Sequence, residues 1–544
     1  MDFCDICGNR LDRTSGRCFT CETSEIRKSY PTKKRTYSSE KRCFRCQSLI
    51  YFDKNVKSNN GKFIPMDMTT KKIHVCHDKS SENPKPISTK PKTTQYEEPK
   101  PIEISEDVLF HIDKIPKGDR IIDKIIEGHK EKQIGIIHYE HLTAPDPPTI
   151  PVEKLSDVLD PSIINGLKQY GFSGVLEFQE KSIRTILAGK HTIISAPTGS
   201  GKTEAFTIPI LQKILKNHST GVIALFIYPL NALVDDQISK IKYLIEKCGL
   251  QNKIAAYSIH GGQYDRYKDT LISESEKKCL ILATNFDFIN YHLILQDKKW
   301  NQLFKPAKIL VLDEAHSYTS FHGSNVYHVI KRMKKYMKDL HYVGSSATLD
   351  NSKEFFSEMF DLQENDVSYI KSTHRRKQDM HRFFIMPRKF GQRKTMEIIT
   401  SLCFKNGSKQ LVFGNSQQSV EFLASNLKEE NPNMKMEVHR GGKNASERRK
   451  IELMMKNGDL DVISCTPTLE LGIDIGQVDV ATSAFKNEFD SFIQRTGRAG
   501  RRGQRSYAFC VFDPEDASCH YYSKKISEYI NQKHKVNVNK NNAI

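Results

Sequence analysis

The sequence lacks long hydrophobic runs and a hydrophobic leader. No apolar stretch approaches the roughly 20 residues that a membrane-spanning helix requires. The first residues, Met-Asp-Phe-Cys-Asp-Ile-Cys, also lack the apolar centre of a signal peptide. Hydrophobic residues make up 38% of the chain and charged residues 27%, a balance typical of a globular protein with some polar excess. We therefore expect a soluble, intracellular protein of the cytoplasm, nucleoid or nucleus.

Acidic residues are scarce at the start of the chain. The 544 residues carry a net charge of +18, and residues 1–100 hold half of it, with 21 Lys and Arg against 12 Asp and Glu. A basic region of this kind is typical of a polyanion-binding surface, and a solvated charge run is the alternative interpretation. The length predicts about three or four domains.

The cysteines do not form a pattern typical of disulfides. Seven of the thirteen lie before residue 77, six of them in C-x-x-C pairs, which in a reducing compartment indicates metal binding. Residues 1–30 carry the first group, and four thiolates at this spacing predict a structural zinc module, with a redox C-x-x-C as the weaker alternative. Its predicted ligands are Cys4, Cys7, Cys18 and Cys21. The other six cysteines are scattered, and we expect them to be buried small hydrophobic residues.

A second zinc module is predicted at residues 40–80. Its ligands would be Cys43, Cys46, Cys76 and His74, with His77 as the alternative to His74. A short hairpin around Asn60-Gly61 is expected between these ligands. Both modules would be closed structural sites, and their role would be docking to nucleic acid or to a protein partner. Residues 81–101 are rich in Pro, Lys, Ser and Thr and are predicted to be a disordered linker. Residues 102–151 regain apolar periodicity, and we expect this lead-in segment, with a strand near 134–139, to pack on the domain that follows.

A phosphate-binding loop is predicted at residues 195–203. An apolar β-branched run precedes it, and a helical pattern over 204–215 follows it, as such a loop requires. Lys202 would reach the β- and γ-phosphates, and the Thr203 hydroxyl would bind Mg²⁺. Phe172 and Gln179 lie upstream, where Phe can stack near adenine and Gln can hydrogen-bond its edge. The remaining predicted nucleotide-binding residues of the loop are Ala196, Thr198, Gly199, Ser200 and Gly201.

Apolar runs alternate with helical patterns downstream of the loop and predict a parallel α/β sheet with ligands at the carboxyl ends of its strands. The strand 309–312 ends directly at Asp313-Glu314. Asp313 would hold Mg²⁺, and Glu314 would orient or activate the attacking water. Carboxylates at the end of a buried strand are costly without a cation, which favours function over a solvated acidic pair.

The second half restarts a sheet at 410–413 but has no phosphate-binding loop. It carries Gln494-Arg-Thr-Gly-Arg-Ala-Gly-Arg501, in which Arg498 and Arg501 would contact the γ-phosphate. A basic nucleic-acid patch, including Arg502 and Arg505, is the alternative interpretation.

These motifs, in this order, resemble those of superfamily 2 helicases. The resemblance rests on Gln179, A-P-T-G-S-G-K-T, D-E-A-H, S-A-T and Q-R-T-G-R-A-G-R. Finer features, among them Tyr228-Pro-Leu-Asn-Ala-Leu, His439-Arg-Gly-Gly and Leu469-Glu-Leu-Gly-Ile-Asp-Ile475, are similar to the Lhr-like group and to repair helicases with a cysteine-rich C-terminal domain. The resemblance implies two RecA-like domains, at 152–372 and 373–544, that use ATP and Mg²⁺ and move 3′→5′ on single-stranded DNA.

The resemblance also implies further site residues. Asp474 would reach the ribose, and Ser346 and Thr348 would couple hydrolysis to domain movement. The residues that would contact the nucleic-acid strand are Pro229, Asn231, Gly262, Thr284, Asn285, Asn415, Ser416 and Thr466. The leading hypothesis is thus an ATP-dependent helicase or translocase of a DNA repair type that acts on single-stranded or tailed duplex DNA. An RNA helicase and an ATP-switched nucleic-acid scaffold are the alternatives, and the zinc region would guide the protein or dock a partner.

Overall fold

The protein divides into two compact units, Met1–Tyr96 and Glu97–Ile544. The structure, a computed structural model, describes residues 41–42, 49–57, 63–67, 108–197, 199–216, 220–260, 264–294, 303–347, 349–372, 377–470, 472, 474–533, 535–538 and 540. The predicted zinc ligands, Thr198, Gly262 and Thr348 lie outside the described residues. In the first unit, β2 (Leu49–Lys57) pairs antiparallel with β1 (Lys41–Arg42) and with β3 (Phe63–Asp67). The predicted hairpin is confirmed.

The second unit begins with the lead-in segment and a short two-stranded sheet. The lead-in segment forms α1 (Arg120–Lys130) and β4 (Ile134–Ala144). The small sheet joins β5 (Thr149–Pro151) to β6 (Gly174–Leu176), with α2 (Pro161–Tyr170) between the two strands.

The first large sheet has seven parallel strands, in the order β13-β7-β12-β11-β8-β10-β9. The strands are β7 (His191–Ser195), β8 (Gly221–Ile227), β9 (Ile254–Ser258), β10 (Cys279–Thr284), β11 (Ile309–Leu312), β12 (His341–Ser346) and β13 (Val367–Lys371). The helices are α3 (Glu177–Leu187), α4 (Lys202–Lys216), α5 (Asn231–Lys247), α6 (Tyr264–Lys277), α7 (Ser320–Tyr336) and α8 (Ser352–Phe360). Neighbouring residues such as Ile193 and Ile194 belong to different buried clusters, so both faces of this sheet are covered.

The second large sheet has the order β16-β17-β15-β18-β19-β14-β4 and is parallel except at β4. Its further strands are β14 (Gln378–Pro387), β15 (Gln410–Phe413), β16 (Met436–His439), β17 (Val462–Cys465), β18 (Val480–Ala484) and β19 (Arg505–Val511). The helices are α9 (Gln392–Lys405), α10 (Gln417–Glu430), α11 (Ala445–Lys456), α12 (Phe489–Thr496), α13 (Ala517–Lys524) and α14 (Ile526–Ile530). The six scattered cysteines are buried and free, as expected. Among the described residues, no helix combines the length and the apolar character needed to cross a bilayer.

Most of the lead-in segment, α1 and β4, packs on the second sheet, whereas its last strand, β5, pairs with β6 of the domain that follows in the chain. β4 pairs antiparallel with β14, with Ala144 opposite Gln378 and Ile134 opposite Pro387. The apolar side of α1 contributes to the core of that same sheet. The packing expected from sequence is therefore wrong for α1 and β4 but holds for β5. The physical reason is that β14 would otherwise expose an unpaired strand edge, which β4 caps.

Residues near the end of the chain return to the first domain. Val536 and Val538 are buried in the apolar cluster on one face of the first sheet, whereas Asn537 between them is exposed. The Asn351 amide donates to the Val536 carbonyl at 2.9 Å, and the Val536 N–H donates to Asn351 Oδ1 at 3.0 Å. The alternation of buried and exposed residues is that of an extended segment with one apolar side.

We predict that Val536→Ala and Val538→Ala each destabilise the first domain by about 1–2 kcal/mol, because each removes two buried carbon groups. The midpoint of thermal unfolding, followed by calorimetry, measures the effect. Asn537→Ala is the matched control and should leave the midpoint unchanged. Equal midpoints for all three variants would contradict the packing of this segment.

Candidate active site

The phosphate-binding loop joins β7, the strand next to the β13 edge of the first sheet, to α4. Gly199 and Gly201 adopt positive φ angles of 73° and 88°, which non-glycine residues rarely adopt. α4 begins at Lys202, so the amino end of this helix faces the loop. The Lys202 ammonium is buried and donates to the Ala196 carbonyl at 2.9 Å. The geometry matches the predicted strand–loop–helix and holds the lysine over the loop.

Gln179 fixes the loop to the helix before it. Its Oε1 accepts from the Leu176 N–H at 2.8 Å, which caps α3, and its Nε2 donates to the Gly201 carbonyl at 3.0 Å. A Cβ on Gly201 would lie 2.4 Å from this Nε2, and the φ of 88° at this position also favours glycine. Phe172 stacks on Tyr170 with ring centroids 5.4 Å apart and lines the same cavity as Gln179. Contact of either residue with adenine stays a prediction.

The acidic pair lies at the carboxyl end of β11, next to the loop. Asp313 and Glu314 are 4% and 7% exposed. The Ser345 hydroxyl and the Glu314 N–H both donate to Asp313 Oδ1. Glu314 has a φ of 49°, a strained left-handed conformation for a residue with a side chain. Its Oε2 is buried without a hydrogen-bond partner, and such an oxygen requires a cation or a water molecule.

The charges around the pair shift the pKa values of its two carboxyl groups in opposite directions. Burial and the charge of Glu314 raise the pKa of Asp313 to about 6. Burial acts in the same direction on Glu314, but the positive charges of Lys202, His316 and the two arginines of the second domain outweigh it and lower the pKa of Glu314. Glu314 is therefore the carboxylate held ionised. Carboxylate and hydroxyl oxygens are the ligands that Mg²⁺ prefers, so Asp313 and Thr203 fit the predicted ion.

His316 and Ser345 carry contacts that the sequence analysis did not assign. His316 Nδ1 lies 3.6 Å from Glu314 Oε2, 3.4 Å from the Ser346 hydroxyl and 3.4 Å from the Ala347 N–H. Ser345, the neighbour of the predicted Ser346, contacts Asp313 directly. The available signal was the D-E-A-H and S-S-A-T spelling itself, because the two motifs end neighbouring strands β11 and β12.

The second domain contributes arginines from α12 and the turn after it. Arg498 is 1% exposed and its Nη2 donates to the Glu470 carbonyl at 2.5 Å. Burial and the charge of Arg501 lower the pKa of Arg498. Arg495, which sequence reasoning did not single out, is fully buried and pairs with the Glu470 carboxylate at 3.1 Å. Arg505 instead pairs with Asp119 and Asp379 on the sheet. These ion pairs set it apart from the predicted basic patch.

Both domains line one cavity of about 830 Å³. Asp474 lies in it, where Lys456 and the Gly476 N–H hold its carboxylate at 2.8 and 3.2 Å. A Cβ on Gly472 would lie 2.5 Å from Leu233 of α5, so the two domains approach closely there. The predicted residues that share this lining are Phe172, Gln179, Gly199, Ser200, Gly201, Lys202, Thr203, Asp313, Glu314, Asp474 and Arg501, together with Arg502.

The predicted nucleic-acid contacts divide into two groups. Asn231 and Asn285 lie at the ends of neighbouring strands, and the Asn285 amide donates to Asn231 Oδ1 at 2.5 Å. Pro229, half-buried, precedes Asn231 in the same loop. In contrast, Thr284 is 1% exposed and does not present its hydroxyl to the surface.

The second-domain contacts lie at the carboxyl ends of β15 and β17. The Asn415 amide donates to the Phe485 carbonyl at 2.9 Å, and the Ser416 hydroxyl caps α10. Thr466 is buried, with its hydroxyl 3.4 Å from that of Thr468. Of the predicted contact residues, the structure brings only Asn231 and Asn285 into direct contact among the residues it describes.

Comparison with known proteins agrees with this geometry. Residues 176–355 match the DEAD/DEAH box helicase family and residues 393–503 match the helicase conserved C-terminal domain. ATP-dependent helicase YprA of Bacillus subtilis is 29% identical over 376 residues, which cover 66% of this chain and 48% of that protein. ATP-dependent helicase hrq1 of Schizosaccharomyces pombe is 28% identical over 381 residues, which cover 66% and 35%. The chain spans about half or less of the length of these relatives.

Solved structures show the same fold. The DUF1998 helicase MrfA bound to DNA and AMPPNP superposes with a TM-score of 0.68 at 25% identity, covering 77% of this chain and 59% of that one. Mss116p bound to ssRNA and AMP-PNP gives 0.59 at 20% identity, covering 74% and 82%. Two parallel sheets, the shared cavity and both family matches lead to one conclusion. The chain belongs to the superfamily 2 helicases of the DEAD/DEAH-box type, an ATP-dependent family.

Proposed function

We propose that this protein is an ATP-driven helicase or translocase that moves 3′→5′ along single-stranded DNA. The observation that carries the proposal is the single cavity in which the loop and acidic pair of one domain face Asp474 and Arg501 of the other. A nucleotide in this cavity contacts both domains. Its hydrolysis therefore changes the contacts that hold them together, which is what coupled movement requires.

The residues of the cavity divide the work of phosphoryl transfer. The loop N–H groups and Lys202 bind the phosphates, and Thr203 and Asp313 would hold Mg²⁺. The ion supplies charge neutralisation on the β- and γ-phosphates. Glu314, kept ionised, accepts a hydrogen bond from the attacking water and takes its proton. Arg501, with Arg498 behind it, stabilises the charge that develops on the γ-phosphate.

His316 links this chemistry to the rest of the fold. It lies within 3.6 Å of Glu314 on one side and within 3.4 Å of Ser346 on the other. A shift of Glu314 on hydrolysis is thus transmitted through His316 to the loop after β12. That loop and Asn231 lie at the carboxyl ends of strands in one sheet, the edge where open α/β sheets bind ligands.

Support for DNA comes from the relatives. MrfA, at 25% identity, is described as bound to DNA, and the direction of movement follows from the motif resemblance. An RNA helicase is the second candidate, because ATP-dependent RNA helicase FAL1 of Candida glabrata is 26% identical over 384 residues, which cover 68% of this chain. The zinc modules would place the motor on its substrate or partner.

We predict that Glu314→Gln lowers the steady-state ATPase rate by about 10²–10⁴-fold, because the amide keeps the shape but accepts no proton. Nucleotide binding should persist in this variant and be weakened in Lys202→Ala. A coupled assay of phosphate release and a fluorescent-nucleotide titration measure the two effects. Glu354→Gln, exposed on α8, is the matched control and should behave as the native protein. Full turnover by Lys202→Ala would overturn the assignment of the loop.

Strand displacement on 3′- and 5′-tailed duplexes, each with a DNA or an RNA tracking strand, tests the substrate. We expect ATP-dependent displacement on the 3′-tailed DNA and stimulation of the ATPase by single-stranded DNA. Stimulation of the ATPase by RNA and not by single-stranded DNA would contradict the DNA proposal. Tight ATP-gated binding with negligible turnover would favour the scaffold over the motor.

A further inference from the structure

Three potential metal ligands lie together on the second sheet, outside the nucleotide cavity. His381 of β14 is directly opposite His141 of β4 in the antiparallel pairing. Asp379 precedes His381 by two residues, so all three side chains share one face of the sheet. One ligand atom from each lies within 4.8 Å of the other two. Strand geometry, rather than a flexible loop, fixes this arrangement.

His381 has the environment of a metal-ligating histidine. It is 2% exposed, and its Nδ1 is 2.8 Å from the Tyr139 hydroxyl. Its Nε2 is buried without a hydrogen-bond partner, which is rare for a polar atom in a folded protein. A partner on one ring nitrogen that orients the other is typical of metal-bound histidine.

The charges nearby favour a cation. Asp379 Oδ1 lies 2.8 Å from His141 Nε2 and 3.8 Å from His381 Nε2. Asp379 Oδ2 accepts from Arg505 Nε at 3.2 Å, and Arg505 also pairs with Asp119 at 3.4 Å. Two carboxylates against one guanidinium leave one negative charge beside the two imidazoles. Arg505 thus reduces the negative charge of the site but does not cancel it.

We propose that His141, Asp379 and His381 form a binding site for a divalent first-row transition metal, with Zn²⁺ as the ion to test. Two imidazoles and one carboxylate are a zinc-type ligand set with a fourth position left for water. The ion would fasten β4 of the lead-in segment to β14 of the second domain.

Binding requires a change at His141 only. Its ring stacks on that of His381 with centroids 4.1 Å apart and an interplanar angle of 11°, so the two ring nitrogens do not converge in this arrangement. The His141 side chain is 37% exposed, whereas that of His381 is 3% exposed, so His141 is the one with room to turn. On binding, His141 turns toward the ion, and exchange with solvent moves its ring proton from Nε2 to Nδ1, so that the Nε2 lone pair is free for the ion and the hydrogen bond to Asp379 is lost. A hydrogen-bonded network without metal is the competing arrangement.

Metal counting on the full chain tests the site. Native protein, His141→Gln and Asp379→Asn are dialysed against micromolar Zn²⁺, and the bound zinc is measured by mass spectrometry. We expect the native chain to hold one zinc more than either variant, whatever number the predicted N-terminal modules bind. His111→Gln, an exposed histidine of the same segment, is the matched control and should keep the native count. The same count in the native chain and in both ligand variants would overturn the proposal.

Two further measurements test the ligand type and the role of Tyr139. With Co²⁺ as the probe, the difference spectrum between native protein and His141→Gln should show visible ligand-field bands without sulfur charge-transfer bands, since no cysteine takes part. Tyr139→Phe removes the partner of His381 Nδ1 and should weaken Zn²⁺ binding about 10–100-fold while leaving the count at saturation unchanged. Sulfur bands in the difference spectrum would assign the lost metal to the cysteine modules and refute the site. Unchanged ATPase activity in His141→Gln verifies that the variant is folded.

Discussion

The buried carboxylate pair at the end of β11 is the constraint on which the rest of the structure depends. Asp313 and Glu314 are nearly inaccessible, and two such groups side by side are tolerated only if cations surround them. Lys202 supplies one charge from within the same domain, whereas Arg498 and Arg501 must come from the other sheet. The electrostatics of the first domain are therefore incomplete without the second. Docking of the domains thus completes the charge environment of the pair, and a change of charge in the cavity is expected to alter the docking.

Much of this could be predicted from the sequence because the relevant signals are local. The run Ile309–Leu312 followed by two acids encodes a buried strand with a polar end, and β11 begins and ends at these residues. The phosphate-binding loop likewise carries its flanking strand and helix in adjacent residues. The hydrogen-bond partners of side chains within the site were harder to predict from the sequence. Gln179 is a plausible adenine ligand by position, yet its amide bonds the Leu176 N–H and the Gly201 carbonyl. Only the packed structure shows that an amide is needed there for the loop itself.

Strand pairing across long sequence separations could not be predicted. Tyr139 and His381 are 242 residues apart, and nothing in the periodicity of β4 specifies whether its partner lies in the first or the second sheet. The order of the chain favours the nearer domain, and the structure places β4 on the farther one. The apolar face of α1, buried in the core of the second sheet, and the otherwise unpaired edge of β14 account for this placement. The same reasoning applies to Val536 and Val538, whose partners lie about 180 residues earlier in the first domain.

Two segments of the chain pack on the domain that is farther from them in sequence, an arrangement that the shared helicase motifs do not include. α1 and β4 of the lead-in segment come before the first domain and pack on the second sheet, whereas residues 536–538 follow the last strand of the second sheet and pack on the first domain. Both segments lie outside the two stretches that match the helicase families. Each therefore ties the domains together through chain connectivity, in addition to the covalent link near 372–377.

Opening the nucleotide cavity must either stretch these segments or leave them attached and turn the domains about them. β4 pairs with β14 over ten residue pairs with one register shift, whereas residues 536–538 are held by two buried valines and by hydrogen bonds to Asn351 and Glu358. The weaker attachment is therefore the one to the first domain. Domain opening is thus expected to release the C-terminal segment first and to keep the lead-in strand in place.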